Sequence, residues 1–209
     1  MKNITKKYIP SIFWRIYIKA SRYYANFLLE NLKKNKKIEF DKSVKINGLP
    51  LLDISDGALV KIGSNVTLNS SNRGYHLNMH SPVKLMADRV GAEITIGENT
   101  RIHGSCIHAK QSIKIGSGCL IAANCQIMDS SGHDLAMDNP SRRINSEGNT
   151  KPVIIEDDVW LATGVVILPG THIGRGSVIS ANSVVSGHIP AMTLAGGNPC
   201  KIIKSYLKD

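Results

Sequence analysis

From Ile155 to Val185 an aliphatic side chain returns at every sixth position: Ile155, Leu161, Ile167, Ile173, Ile179 and Val185. Four residues after each of the first five stands a small residue: Val159, Val165, Thr171, Ser177 and Ser183. An α-helix repeats at 3.6 residues and a half-buried strand at 2, so neither calls for a period of six. A stack of β-coils does, because each short strand and its corner repeat the same inward and outward positions. The beat therefore predicts a mainly β fold, a parallel β-solenoid. An irregular β-sandwich also places aliphatics beside glycine turns, but its turns recur at variable spacing.

Upstream the same register is broken and resumed. It runs from Ile62 to Leu68, is lost over 72–92, and returns at Ile96 and Ile102, where the next slot falls on His108. A one-residue slip then brings Ile115, Ile121 and Ile127. The Ile-Gly pairs at 62–63, 96–97, 115–116 and 173–174 read as corners, with glycine taking positive φ at no steric cost. Ile127 and Ile155 are 28 residues apart, not a multiple of six, so residues 129–152, with Pro140 and Pro152, are expected to leave the stack as a loop. The coils are assigned to residues 43–190, a basic helical segment to 1–42 and a tail to 191–209.

In that first segment Pro10 to Asn35 reads as a helix, with Pro10 in the first turn and an apolar stripe of Ile9, Phe13, Ile16, Ala20, Tyr23 and Phe27. Arg15, Lys19 and Arg22 share another face. Charges interrupt every candidate membrane span. Two roles remain open: a cap on the end of the coil stack, or an interfacial helix on anionic lipid through residues 1–37. Charge sharpens the point. Residues 1–40 hold ten Lys or Arg against two Glu, a net of +8 out of the chain's +10, which leaves the coil body near neutral.

The four cysteines do not read as a disulfide set. Cys106, Cys119 and Cys125 each follow an inward Ile by four residues, the small slot, and are expected as core fillers in a reducing cytoplasm. No apolar h-region with a cleavage motif stands in the first forty residues. The expected location is cytoplasmic, with peripheral attachment at the inner membrane face through the helix.

Three strings carry a resemblance: Ile127-Met-Asp-Ser-Ser-Gly-His133-Asp134, Asp158-Val-Trp160-Leu-Ala-Thr-Gly164 continuing to Pro169-Gly170, and Ala195-Gly-Gly-Asn-Pro-Cys200-Lys201-Ile-Ile-Lys204. With the hexapeptide beat they make residues 50–205 resemble the hexapeptide-repeat acyltransferases, and within these the sugar and polysaccharide O-acetyltransferases, with a tail similar to that of galactoside and maltose acetyltransferases. The resemblance implies a left-handed parallel β-helix and a homotrimer with active sites between subunits. It also implies acetyl-CoA as acyl donor, a sugar or cell-envelope polysaccharide as acceptor, and neither a metal nor nucleic acid.

Moving an acetyl group from a thioester to a hydroxyl needs a base, a donor for the developing oxyanion and a grip on the carrier. A neutral imidazole is the natural base near pH 7, and by resemblance His133 is that base, with Trp160 beside the thioester. Asp129, Asp134 or a backbone carbonyl would orient the ring. The oxyanion donor is expected to be a backbone N–H of the Thr163–Gly164 region. By resemblance the carrier meets Thr163, Gly164, Ala181 and Ser186, and its phosphates meet Lys201 and Lys204, which bind as point charges where some relatives have arginine. His103 and Ser105 fall where sugar-acetylating relatives border the acceptor, and Arg142 with Arg143 would suit an acidic glycan.

Rival readings stay open. The acceptor could be an amino sugar, acetylated on nitrogen, or another small hydroxyl compound. His103, His108 and His133 could supply three imidazoles across a subunit interface to a zinc hydratase of the γ-carbonic anhydrase type, and a purely structural or ligand-binding solenoid is a third choice.

Overall fold

The computed structural model of the protein describes residues 12–207. Pro10 and Ile9 of the proposed helix start lie outside the described residues. Among the described residues twenty-one short strands form three sheets. The first sheet runs from Ile38–Phe40 through Leu59–Ile62, Glu93–Ile96, Ser112–Ile115, Val153–Ile155 and His172–Ile173 to His188–Ile189. The second runs from Lys45–Asn47 to Thr193–Gly196, and the third from Leu51–Ile54 to Val184–Val185. Each strand pairs in parallel with the strand three places on in sequence, so consecutive strands visit the three sheets in turn. The Lys201–Ser205 strand is antiparallel, folding back on Thr193–Gly196.

The six-residue beat is the interior of this stack. Ile155, Leu161, Ile167, Ile173, Ile179 and Val185 are all fully buried, as are Val159, Val165, Thr171, Ser177 and Ser183. The buried hydroxyls bond to corner carbonyls: Thr171 to Leu168, Ser177 to Pro190 and Ser183 to Ser180, each at 2.7 Å. A buried hydroxyl is tolerated on that condition.

Three local expectations are corrected. The slot after Ile102 is filled by Ile107, five residues on and in register with Ile127, because the corner at Gly104 is one residue shorter. His108 therefore faces outward. By the same shift the small buried position is Ser105, and Cys106 lies on the outer side beside Gln126, whereas Cys119 and Cys125 are buried. Finally, Gly63, Gly97, Gly116 and Gly174 have no positive φ. A Cβ at Gly97 would stand 2.5 Å from the Gly116 carbonyl carbon of the next coil, so these glycines permit close stacking. Positive φ at the corners is taken by Asn65, Asn99, Asn124, Asp158 and Asn182, among others; Asn and Asp tolerate it best of the residues with a side chain.

The N-terminal helix α1 (Ile12–Lys34) packs on the first coil. Its buried face is Ala25 and Leu29, with Leu32 partly buried, and not the predicted stripe: Ile16, Tyr23 and Phe27 are 59%, 77% and 63% exposed. The helix is apolar on two faces, and the one carrying small Ala25 seats closest to the coil. No helix among the described residues is long and apolar enough to cross a membrane.

Candidate active site

Two excursions from the stack carry the chemistry. Residues 129–152 leave after Gln126–Met128 in the third sheet and return at Val153–Ile155 in the first. The root is tied by Asp129, fully buried, whose carboxylate accepts the N–H groups of Lys110, Gln111 and Ser112 at 2.7–2.8 Å. Asp129 is thus committed to the backbone and does not orient His133. Asp134 accepts the Ala136 N–H instead. The partner of His133 is the Ser146 carbonyl, 3.2 Å from Nδ1. A carbonyl only accepts, so Nδ1 carries the proton and Nε2 presents a lone pair outward. Of the arginines expected to suit an acidic glycan, Arg142 pairs with Asp138 at 3.1 Å and Arg143 donates to the Leu135 carbonyl at 2.6 Å. Both are exposed and also brace their own loop.

The second excursion, residues 70–83, crosses the outer side of the second sheet. Met79 is buried over Gly104, where any Cβ would meet its side chain at 2.6 Å. Asn124 clamps the loop, accepting the His80 N–H and donating to the Asn78 carbonyl. The bridge borders a half-open chamber of about 510 Å³ lined by Tyr75, Arg101, His103, Leu120, Trp160 and Thr163, among others.

Inside it, His103 is held on two sides. The Asn69 amide donates to its Nδ1 at 3.1 Å, with the amide's orientation fixed because its Oδ1 accepts the Ser71 N–H. Tyr75 stacks on the ring at 4.3 Å between centroids. Burial, then the charges of Arg101 and His76, holds the His103 pKa below its ordinary value. His103 is thus a neutral imidazole bearing its proton on Nε2, a hydrogen-bond donor. Ser105 does not join it: the side chain is buried, 2.8 Å from the His103 and Ala122 carbonyls, and accepts the Cys125 N–H. It is a corner brace rather than a pocket residue.

At the corner between the second and third sheets, Ala123, Thr163 and Ala181 stack coil on coil, as the bond from the Asn182 N–H to the Thr163 carbonyl and that from the Gly164 N–H to the Ala123 carbonyl show. The Tyr75 hydroxyl, whose pKa burial raises, lies beside the Ala123 backbone. The equivalent N–H groups of Thr163 and Ala181 donate to no described residue. Gly164 is different. Its N–H is already engaged, and a Cβ there would collide with the Asn182 side chain, so its role is steric. Lys201 and Lys204 lie exposed on the terminal strand beside the second sheet.

One chain does not bring all these residues together. Trp160, Thr163, Ala181, His103 and the tail lysines belong to the second sheet and its corner, whereas His133 and Ser186 lie at the corner between the third and first sheets. Within one chain the three imidazoles of the zinc reading have separate partners: His103 pairs with Asn69, His108 with Asp88 at 2.8 Å and His133 with Ser146. Tyr75, Asn69 and Arg101 were missed from the sequence. The available signal was position, since Asn69 and His103 each directly follow an inward residue, Leu68 and Ile102.

A stack of three-strand coils with an imidazole-bearing loop and open corner amides defines an acyl-transfer scaffold, and comparison agrees. Residues 152–187 match the bacterial transferase hexapeptide (six repeats), and residues 93–128 match the hexapeptide repeat of succinyl-transferase. The Escherichia coli (strain K12) protein "Putative lipopolysaccharide biosynthesis O-acetyl transferase WbbJ" is 36% identical over 149 residues, 66% of this chain and 74% of that protein. The galactoside O-acetyltransferase of the same organism is 36% identical over 128 residues, 57% of this chain and 61% of its own length. The crystal structure of a hexapeptide-repeat-containing acetyltransferase of Vibrio cholerae O1 biovar eltor, complexed with acetyl coenzyme A, superposes with a TM-score of 0.57 at 28% identity, over 92% of this chain and 90% of that one. The chain spans roughly half to three quarters of the length of the curated relatives it matches. It belongs to the hexapeptide-repeat acyltransferase family.

Proposed function

We propose that the protein transfers an acetyl group from acetyl-CoA to a hydroxyl of a sugar or cell-envelope glycan. In this reading the coils wind left-handed and three chains assemble, so that the His133 loop of one protomer meets the second-sheet chamber of its neighbour. The observation that carries it is the state of His133, an exposed imidazole with Nδ1–H fixed on Ser146 and Nε2 free to accept a proton. The acceptor hydroxyl gives its proton to Nε2 as its oxygen attacks the thioester carbonyl. The Thr163 N–H, unengaged in the chain, stabilises the oxyanion in place of the Thr163–Gly164 pair first expected. Collapse breaks the carbon–sulfur bond, and the imidazolium returns the proton to the leaving thiolate.

The pantetheine arm runs along the corner past Thr163 and Ala181, two open amides one coil apart, with Trp160 beside the thioester and Ser186 supplied from across the interface. Lys201 and Lys204 meet the phosphates. The partners fit the names of the relatives, one assigned to lipopolysaccharide biosynthesis and another to galactosides. The basic helix, apolar on its outer face, holds the enzyme at an anionic cytoplasmic membrane surface.

The test is CoA release with acetyl-CoA and a sugar panel. His133→Ala should lower kcat by about 10²–10⁴ with circular dichroism and sedimentation unchanged. A variant that keeps most of its activity overturns the assignment.

A further inference from the structure

The 129–152 loop closes on itself. The Gly148 N–H donates to the Gly132 carbonyl, the Ser131 N–H to the Asn149 carbonyl and the Asp134 N–H to the Ser146 hydroxyl. A Cβ at Gly148 would stand 2.7 Å from the Gly132 nitrogen, so the outgoing limb 130–134 and the returning limb 146–150 touch backbone to backbone. His133 bonds across them to the Ser146 carbonyl, and the direction of its ring follows the returning limb.

Beyond its root the loop is tied to the coils at one place. Among the described residues the one side-chain hydrogen bond or ion pair between 130–150 and the coils joins Arg89 to Glu147, Nη2 to Oε2 at 3.0 Å. Glu147 directly follows Ser146, whose carbonyl holds His133 Nδ1. Arg89 lies 58 residues earlier, at a corner between the third and first sheets. That corner is itself fixed. The Asp88 N–H donates to the Ala109 carbonyl, the Asp88 carboxylate pairs with His108 Nε2 at 2.8 Å, and the Gly91 N–H reaches the Gly57 carbonyl. The strand Asp88 grips, Cys106–Ala109, runs straight into the Lys110–Ser112 amides that hold Asp129. Root and returning limb are thus mounted on one rigid piece of the stack.

We propose that Arg89 and Glu147 are positioning residues for the base. Their ion pair holds the returning limb where the Ser146 carbonyl meets His133 Nδ1, which keeps the proton on Nδ1 and the Nε2 lone pair turned outward. Asp88 and His108 act one step further back, as the anchor of the corner that carries Arg89. That His133 is the base rests on the acetyl-transfer reading. That Arg89 governs its tautomer and direction does not. The two side chains are 37% and 78% exposed, so the pair adds little to global stability and its effect is local. The same exposure sets the size of that effect, since an exposed pair shifts an equilibrium by up to about fivefold.

The test joins nitrogen NMR of the histidine-labelled, full-length protein to steady-state kinetics. In the parent the His133 ring shifts should report mostly the Nδ1–H tautomer. Arg89→Ala should move the two nitrogen shifts toward each other and lower kcat about two- to fivefold, with KM for acetyl-CoA and the thermal midpoint near the parent's. Arg89→Glu sets like charges face to face and should lower kcat about tenfold. The exchanged pair, Arg89→Glu with Glu147→Arg, should bring ring shifts and kcat back to within about twofold of the parent. Ring shifts unmoved in Arg89→Glu overturn the proposal whether or not kcat falls, because the pair then acts elsewhere. So does an exchanged pair no better than Arg89→Glu alone. If the shifts respond as expected while His133→Ala keeps its acetyl transfer, the base assignment falls and the mount of the loop stands.

Discussion

His133 donates its Nδ1–H to the carbonyl of Ser146, thirteen residues further along the same loop. The geometry makes the base's tautomer a property of the loop's fold rather than of a neighbouring carboxylate. Deletion of a loop contact should therefore act on kcat through the ring's orientation. The root of the loop is the Asp129 carboxylate under three backbone N–H groups. Asp129→Ala strands those donors and should cost about 3 kcal/mol in urea unfolding. It should also lower kcat more than it raises KM for acetyl-CoA. A variant as stable as the parent would show that the carboxylate does not anchor the loop.

His103 should titrate below its ordinary value of 6.5, because burial penalises the charged ring. The sign for stability follows. With the folded pKa depressed, the unfolded chain binds the proton first as pH falls, so stability is full above about 6.5 and declines from there toward the folded pKa. Ring NMR should report the Nε2–H tautomer in the neutral form. Tyr75→Ala uncovers the ring and should move its midpoint upward. A midpoint at or above 6.5 in the parent protein would contradict the buried, Asn69-bound geometry.

Ser105→Ala separates a brace from a binding residue. The hydroxyl sits between the His103 and Ala122 carbonyls and takes the Cys125 N–H. Its loss should cost about 1–3 kcal/mol of stability by leaving buried groups unpaired, with acceptor KM near that of the parent at temperatures where the variant is folded. A large KM change without loss of stability would return Ser105 to the pocket.

Burial raises the thiol pKa of Cys119 and Cys125 to about 11. At pH 8 about one in a thousand of such thiols is ionised. An aromatic disulfide reagent should label both only after unfolding, and rapid labelling of either in the native protein would show that its slot is not interior. These residues also show what was legible in the sequence. Cys119 and Cys125 stand where the six-residue beat sets small buried side chains, and Ile155 to Val185 fixes the whole later stack by period alone. Cys106 misled because the Gly104 corner is one residue short, and that deletion shows only once Ile107 is paired with Ile127. The chamber was harder still. Tyr75 reaches His103 through a loop with no period, and Asn47, Asn69 and His103 become neighbours only by register across coils. Strand pairing between distant residues carries the site, and sequence spacing carries the core.

The outer face of α1 gives the last prediction. Ile16, Tyr23 and Phe27 are all more than half exposed, beside exposed Arg15 and Lys19, while Ala25 and Leu29 hold the helix on the coil. One face packs on the coil and the other stays at the surface. Apolar side chains flanked by cations suit an anionic lipid surface, where each basic residue near the headgroups contributes about 1 kcal/mol. Tyr23→Ser with Phe27→Ser should weaken sedimentation with phosphatidylglycerol vesicles at least about tenfold, and raising salt should weaken the parent's binding too. Neither substitution touches the buried face, so the thermal midpoint should stay within a few degrees of the parent's. A drop in that midpoint with vesicle binding unchanged would mean that the aromatic face packs against protein, and the lipid assignment would fall.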